Sequence, residues 1–154
     1  HLAKVRSYIE LGTREGATML CGGLDVPDLT ASIRNGNFVK PTVFANVNNE
    51  MTIAREEIFG PVLTIIPYET EEEAIRIAND TPYGLAAYVQ GSPERARKVA
   101  KRLRAGNVHI NGANGSLGTP FGGYKQSGNG RDKSLHAFDK YTELKTTWIR
   151  IDAE

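Results

Sequence analysis

Hydrophobic residues fall into short periodic runs separated by polar and glycine-rich stretches. Leu2, Val5, Tyr8 and Ile9 recur at helical spacing, so the chain opens on a helix, limited by Gly12 and Gly16. Thr18 to Cys21 reads as a short strand that stops at Gly22-Gly23, and polar Asp25 to Asn37 reads as a loop. Phe38 to Phe44 alternates like a strand, with Pro41 arguing for an edge or a strand end because proline lacks the N–H a ladder needs. Val62 to Tyr68 has the composition of a buried strand. Thr70-Glu71-Glu72-Glu73 has capping-box spacing, in which the hydroxyl and the third glutamate each take up an orphan N–H. Ala74, Ile75, Ile77 and Ala78 follow as its apolar face. Ser92-Pro93-Glu94 starts a second helix, whose stripe is Ala96, Val99, Ala100 and Leu103 and whose end is Gly106. Leu85 to Gln90 and Asn107 to Asn111 flank that helix as strands. Such alternation predicts an α/β fold with a mostly parallel sheet and flanking helices. Glu143 to Ile151, β-branched and carrying Trp148, reads as a C-terminal edge strand with no later strand to pair with.

Gly112 to Arg131 breaks this rhythm with seven glycines at 112, 115, 118, 122, 123, 128 and 130. Each glycine costs backbone entropy on ordering, so such density would be wasteful in a pure connector, and a long loop of this kind in a compact domain is functional or disordered.

Composition narrows the possibilities. The 154 residues suit one domain, are 40% hydrophobic and 24% charged, and carry a net charge of +1. That balance gives no global electrostatic case for nucleic acid. Arg95, Arg97, Lys98, Lys101, Arg102 and Arg104 cluster on one helix without a nucleic-acid-binding module, and read as a solvated face. No apolar run approaches the ~20 residues of a membrane helix, and no signal-peptide anatomy is present. His1, His109 and His136 lack metal-ligand spacing, so no metal is expected. The single Cys21 excludes an intrachain disulfide and favours a reducing, cytoplasmic setting. Its strand-like apolar context, Met19-Leu20-Cys21-Gly22, predicts a buried, inert structural thiol. The opening on a helical pattern without Met suggests an excised or truncated piece.

Five motifs carry a specific likeness. Glu56-Glu57-Ile58-Phe59-Gly60-Pro61-Val62 resembles a signature of the NAD(P)-dependent aldehyde dehydrogenase superfamily. Lys40-Pro41-Thr42-Val43-Phe44, Asn79-Asp80-Thr81-Pro82-Tyr83-Gly84-Leu85, Gly106-Asn107-Val108-His109-Ile110-Asn111 and Pro120-Phe121-Gly122-Gly123-Tyr124-Lys125-Gln126-Ser127-Gly128 resemble further family segments in the family's order. The likeness implies an oxidoreductase using NAD or NADP to turn an aldehyde into a carboxylic acid. It implies that residues 1–140 are the C-terminal part of the catalytic domain and 141–154 an oligomerisation strand and tail.

The resemblance also assigns residues. Glu57 would accept hydrogen bonds from the nicotinamide ribose hydroxyls, for which an acceptor-only carboxylate is suited. Phe59 would pack near the nicotinamide and restrict its position, which hydride transfer requires. Outside the motif these two would read as a surface carboxylate and a core aromatic. Phe121 resembles the wall of the aldehyde pocket, with a core phenylalanine under a glycine-rich turn as the alternative. Asn111, Asn114 and Ser116 would line the pocket mouth, on a loop that has Ala113 and Leu117 in place of the family's frequent aromatics. Asp132 matches a Glu that relays protons in some relatives, or it caps the next helix. The tail from Gly128 to Ile149 is similar to γ-glutamyl-aminobutyraldehyde and other amino-aldehyde dehydrogenases.

The family's catalytic thiol stands in an F-x-x-x-G-Q-x-C context that this sequence lacks, and no G-x-G-x-x-G opens a βαβ unit. The expected partners are therefore a small aldehyde, NAD(P)+, a catalytic half carrying the thiol, and further copies in a dimer or tetramer. By itself the chain would be inactive. The other reading is a non-catalytic assembly fragment pairing through its C-terminal strand.

Overall fold

The computed structural model describes residues 1–33 and 35–151; Arg34, within the expected loop, and residues 152–154 lie outside the described set. The chain divides after Asp80 into two compact units, a boundary no composition shift announces.

The first unit is built on helix α1, Leu2–Arg14. It runs through Gly12 rather than stopping there, because Gly12 is where the Phe44 ring lies against the helix. A Cβ at Gly12 would stand 2.9 Å from Phe44 Cζ. Strands β1 (Thr18–Cys21), β2 (Thr42–Ala45) and β3 (Val62–Thr64) form a sheet in that order. β1 is antiparallel to β2, and β3 is parallel to it. β2 starts at Thr42, later than the alternation from Phe38 suggests. Pro41 therefore marks a strand end on what becomes the central strand. β3 is also shorter than expected and not buried: Leu63 on it is exposed. Helix α2, Thr52–Arg55, lies between β2 and β3. Val5, Ile9, Ala17, Phe44, Val47, Ile53 and Ile58 make the core. Helix α3, Glu71–Asn79, completes the unit. The Thr70 hydroxyl accepts from Glu73 N–H at 3.2 Å as the capping box predicts. The Glu73 carboxylate reaches back to Glu69 N–H at 2.8 Å, one residue beyond the expected cap. Of its apolar face only Ile75 is buried, and Ala78 is exposed.

The second unit is a β-α-β crossover. β4 (Ala86–Val89) and β5 (Asn107–Ile110) pair in parallel, joined through helix α4 (Pro93–Ala100). Parallel neighbours need such a crossover connection. Pro93 occupies the first turn, but the Ser92 side chain makes no cap bond. The helix ends at Ala100, short of Gly106, and buries Ala96.

Among the described residues Glu143 to Ile151 has no ladder partner and is exposed throughout, and a strand is fixed only by the partner it pairs with. The expectation for the thiol is corrected. Cys21 is exposed, not buried. It lies on β1, one of the two outer strands, after a register shift between Met19 and Cys21. Among the described residues no helix is long and apolar enough to cross a membrane, and no group of three or more His, Cys, Asp or Glu could hold a metal ion.

Candidate functional site

The site residues expected from sequence fall on both units: Glu57 and Phe59 on the first, Asn111, Asn114, Ser116, Phe121 and Asp132 on the second.

On the first unit, the segment after α2 alternates. Glu56 closes the helix through its N–H to Thr52 O, and its own backbone is extended (φ −103°, ψ 147°). Successive side chains of extended backbone point to opposite sides. Glu56 is accordingly engaged by the Tyr8 hydroxyl, which donates to Oε2 at 2.5 Å. Glu57 projects into solvent, Ile58 is a core residue at 7% exposure, and Phe59 projects outward at 75% exposure. No hydrogen bond or ion pair engages the Glu57 carboxylate among the described residues; only its backbone carbonyl is held, by Lys4 Nζ at 3.3 Å. It is thus an unspent acceptor on the surface.

Phe59 has φ +59°, a left-handed conformation that an aromatic residue rarely adopts. Two features hold it there. Its carbonyl meets His1 Nε2 at 2.5 Å, and its ring meets the His1 ring edge-on at 6.1 Å. Next to it, Gly60 passes so close to α1 that a Cβ would stand 2.6 Å from Val5 Cγ2. A cleft of about 590 Å³ lies beside Phe59, with Leu2, Val5, Phe38, Val39 and Pro61 in its walls.

On the second unit the glycine-rich motif is a folded clasp. Gly84 is its centre: its carbonyl accepts from Gly106 and Tyr124 N–H (3.0 and 2.9 Å), and its N–H donates to Ser127 Oγ at 3.0 Å. Lys125 Nζ donates to Thr81 O at 2.8 Å, and Gln126 N–H to Pro82 O at 3.0 Å. The segments 81–85 and 120–128 are therefore two halves of one hydrogen-bonded structure. Asn107 Nδ2 adds bonds to Leu85 O and Gly122 O. No Cβ fits at Gly106, where it would fall 1.9 Å from Gly122 O.

Phe121 is 38% exposed, so it is not a core phenylalanine, and Lys133 Nζ lies 5.5 Å from its ring centre. Its backbone pairs with Asp132 in both directions, at 2.9 and 2.7 Å. Asp132 does not cap the following helix; Ser134 does, accepting from His136 N–H. The Asp132 carboxylate instead holds Lys140. That hydrogen bond, opposed by partial desolvation and aided by the charges of Asp132 and Tyr141, raises the Lys140 pKa above its ordinary value. Asn111 spends its amide on Gly91, accepting from its N–H and donating to its carbonyl, each at 2.9 Å. It thereby ties together the ends of β4 and β5. Asn114 and Ser116 are exposed, with Ser116 O accepting from Thr119 Oγ1 at 2.7 Å. From sequence Tyr8 reads only as part of the opening helix's periodic stripe, Lys4 carries no site role, and Lys125 and Ser127 are only motif letters. The motif spacing was a signal for the last two, but nothing local marks Tyr8.

One α/β unit presents a carboxylate beside an outward aromatic, and the other a glycine clasp beside a second exposed aromatic. The aldehyde dehydrogenase family model matches residues 1–147, and the chain belongs to that family. The chain is 56% identical over 143 residues to a 3-succinoylsemialdehyde-pyridine dehydrogenase of a Pseudomonas species, covering 92% of this chain and 29% of that protein. It is 45% identical to the NADP/NAD-dependent aldehyde dehydrogenase PuuC of Escherichia coli, across 99% of this chain and 30% of that one. Among solved structures, the indole-3-acetaldehyde dehydrogenase AldA of P. syringae, in complex with NAD+ and IAA, superposes with TM-score 0.86 at 54% identity over 97% of this chain and 30% of that one. The chain thus spans about 30% of the length of the relatives it matches.

Proposed function

We propose that these residues serve an NAD(P)+-dependent aldehyde dehydrogenase as its nicotinamide-ribose contact and as part of its aldehyde pocket. The observation that carries the reading is the unengaged Glu57 carboxylate next to the outward Phe59. An acceptor-only group fits a vicinal diol, and an exposed ring beside it fits a planar heterocycle that must be held in register. NAD(P)+, when bound, supplies the hydride acceptor. Glu57 would fix the ribose and Phe59 would limit the ring's travel. Phe121 would exclude water from one side of the aldehyde, with Asn114 and Ser116 at the mouth. Asn111 would act there as a brace, since Gly91 already uses its amide. Asp132, paired with Lys140, would be a proton-relay helper only on release of that pair.

The nucleophile belongs outside these 154 residues. In the full reaction a cysteine thiolate adds to the aldehyde carbon, the thiohemiacetal gives up hydride to NAD(P)+, and water hydrolyses the resulting thioester to the acid. Cys21 is a poor candidate for that thiol: among the described residues its Sγ meets the Pro41 carbonyl, at 3.9 Å, and thiolates need electropositive surroundings. The test is Cys21→Ser in the natural polypeptide that carries this sequence. Aldehyde-dependent NADH formation should persist, and the 154 residues by themselves should form none. Loss of activity in the variant would make Cys21 the nucleophile and overturn this part of the reading.

Leu144, Trp148 (91% exposed), Ile149 and Ile151 favour a second role, assembly. Exposed apolar side chains on a segment of strand-like composition suit strand addition to another copy. Analytical ultracentrifugation of the natural polypeptide should show an oligomer that Trp148→Asp weakens. A monomer before and after would contradict it.

A further inference from the structure

The two adjacent carboxylates of the signature are chemically alike, yet only one is presented. We propose that Tyr8 is a positioning residue that decides which: by holding Glu56 on one side of the extended segment it leaves Glu57 on the other for the nicotinamide ribose. This inference rests on the cofactor reading of Glu57.

Three observations support it. The Tyr8 hydroxyl donates to Glu56 Oε2 at 2.5 Å, a charge-assisted bond shorter than a neutral one. The Glu56 backbone is extended, so its side chain and the next leave the segment on opposite sides. The grip is also broader than one contact. His1, Lys4 and Tyr8 are spaced three and four residues apart and so share one stripe of the helical face. They meet Phe59 O, Glu57 O and the Glu56 carboxylate respectively. The neighbouring stripe, Val5 and Ile9, is buried in the core with Ile58. Helix α1 therefore anchors the segment from below through Ile58 and from the flank through polar bonds.

The experiment is steady-state kinetics of the natural polypeptide, varying NAD+ at saturating aldehyde, for wild type, Tyr8→Phe, Glu56→Ala, the double variant and Glu57→Gln. Tyr8→Phe should raise KM for NAD+ roughly threefold or more while kcat changes less, within the range of coupled neighbours. The double variant should be no worse than the poorer single one, because both remove the same bond. A structural role alone would lower thermal stability without that split between KM and kcat. If Tyr8→Phe does not fold, Glu56→Ala, at an exposed position, reads the same bond. If Glu57→Gln raises KM and the Tyr8 and Glu56 variants do not, the positioning inference is overturned and the cofactor reading stands. If Glu57→Gln leaves KM unchanged, both are overturned.

Discussion

The Glu15 carboxylate caps helix α2: Oε1 accepts from Thr52 N–H at 2.8 Å and Oε2 from Ile53 N–H at 3.3 Å. Glu15 follows the end of α1, and α2 leads directly into Glu56 and Glu57, so this cap joins the helix that grips the signature to the one that delivers it. Helix N-termini leave unsatisfied N–H groups and a positive dipole end, both of which favour a carboxylate.

Replacing that cap should cost stability and change its pH dependence. Burial acts to raise the Glu15 pKa, but hydrogen bonds from the Thr52 hydroxyl and from the Thr52 and Ile53 N–H groups, with Arg14 nearby, outweigh it and hold the pKa below its ordinary value. A lowered folded pKa means stability that is present above the unfolded value and lost as pH falls through the folded one. Glu15→Ala should cost about 1 kcal/mol at neutral pH, as other cap deletions do. The variant's denaturant midpoint should also fall less than wild type's on acidification.

The Asp132–Lys140 pair predicts the opposite limb. Lys140 has a raised pKa, so its contribution is complete below the unfolded value and fades as pH rises through the folded one. Asp132→Asn should bring the Lys140 pKa down, as read by NMR titration of its side chain. An unchanged titration would show that the pair does not form in solution.

Phe44 is fully buried against Gly12 and should be the costliest truncation in the first unit. Phe44→Ala should lose ~3–5 kcal/mol in chemical denaturation. A loss under 1 kcal/mol would mean that the site collapses around the gap.

Gly106→Ala tests the clasp. The added methyl would meet the Gly122 carbonyl, backbone against backbone, with no flexible side chain to yield. Proteolysis of the loop around Gly112 to Arg131 should accelerate markedly, while wild-type rates would contradict the close approach.

Much of this was legible in the sequence wherever the signal is local. The Thr70 cap, the Pro93 helix start and the β4–α4–β5 crossover depend on neighbours a few residues away. The motifs single out Glu57 and Phe59 together, and in the structure both face outward. What was not legible depends on distant partners. Tyr8 and Glu56 are 48 residues apart, and Gly84 and Ser127 are 43 apart. The apolar context of Cys21 suggested burial, but β1 is one of the two outer strands and leaves it exposed. Glu143 to Ile151 has strand composition but no ladder among the described residues, and composition alone does not make one.

The central claim is that Glu57 holds the nicotinamide ribose. Calorimetric titration of NAD+ into the natural polypeptide, wild type against Glu57→Gln, tests it most directly. Hydrogen bonds to a charged group contribute about 1.5–3 kcal/mol, so the variant should bind on the order of tenfold or more weakly with its fold intact. Equal affinity in the two would contradict the account.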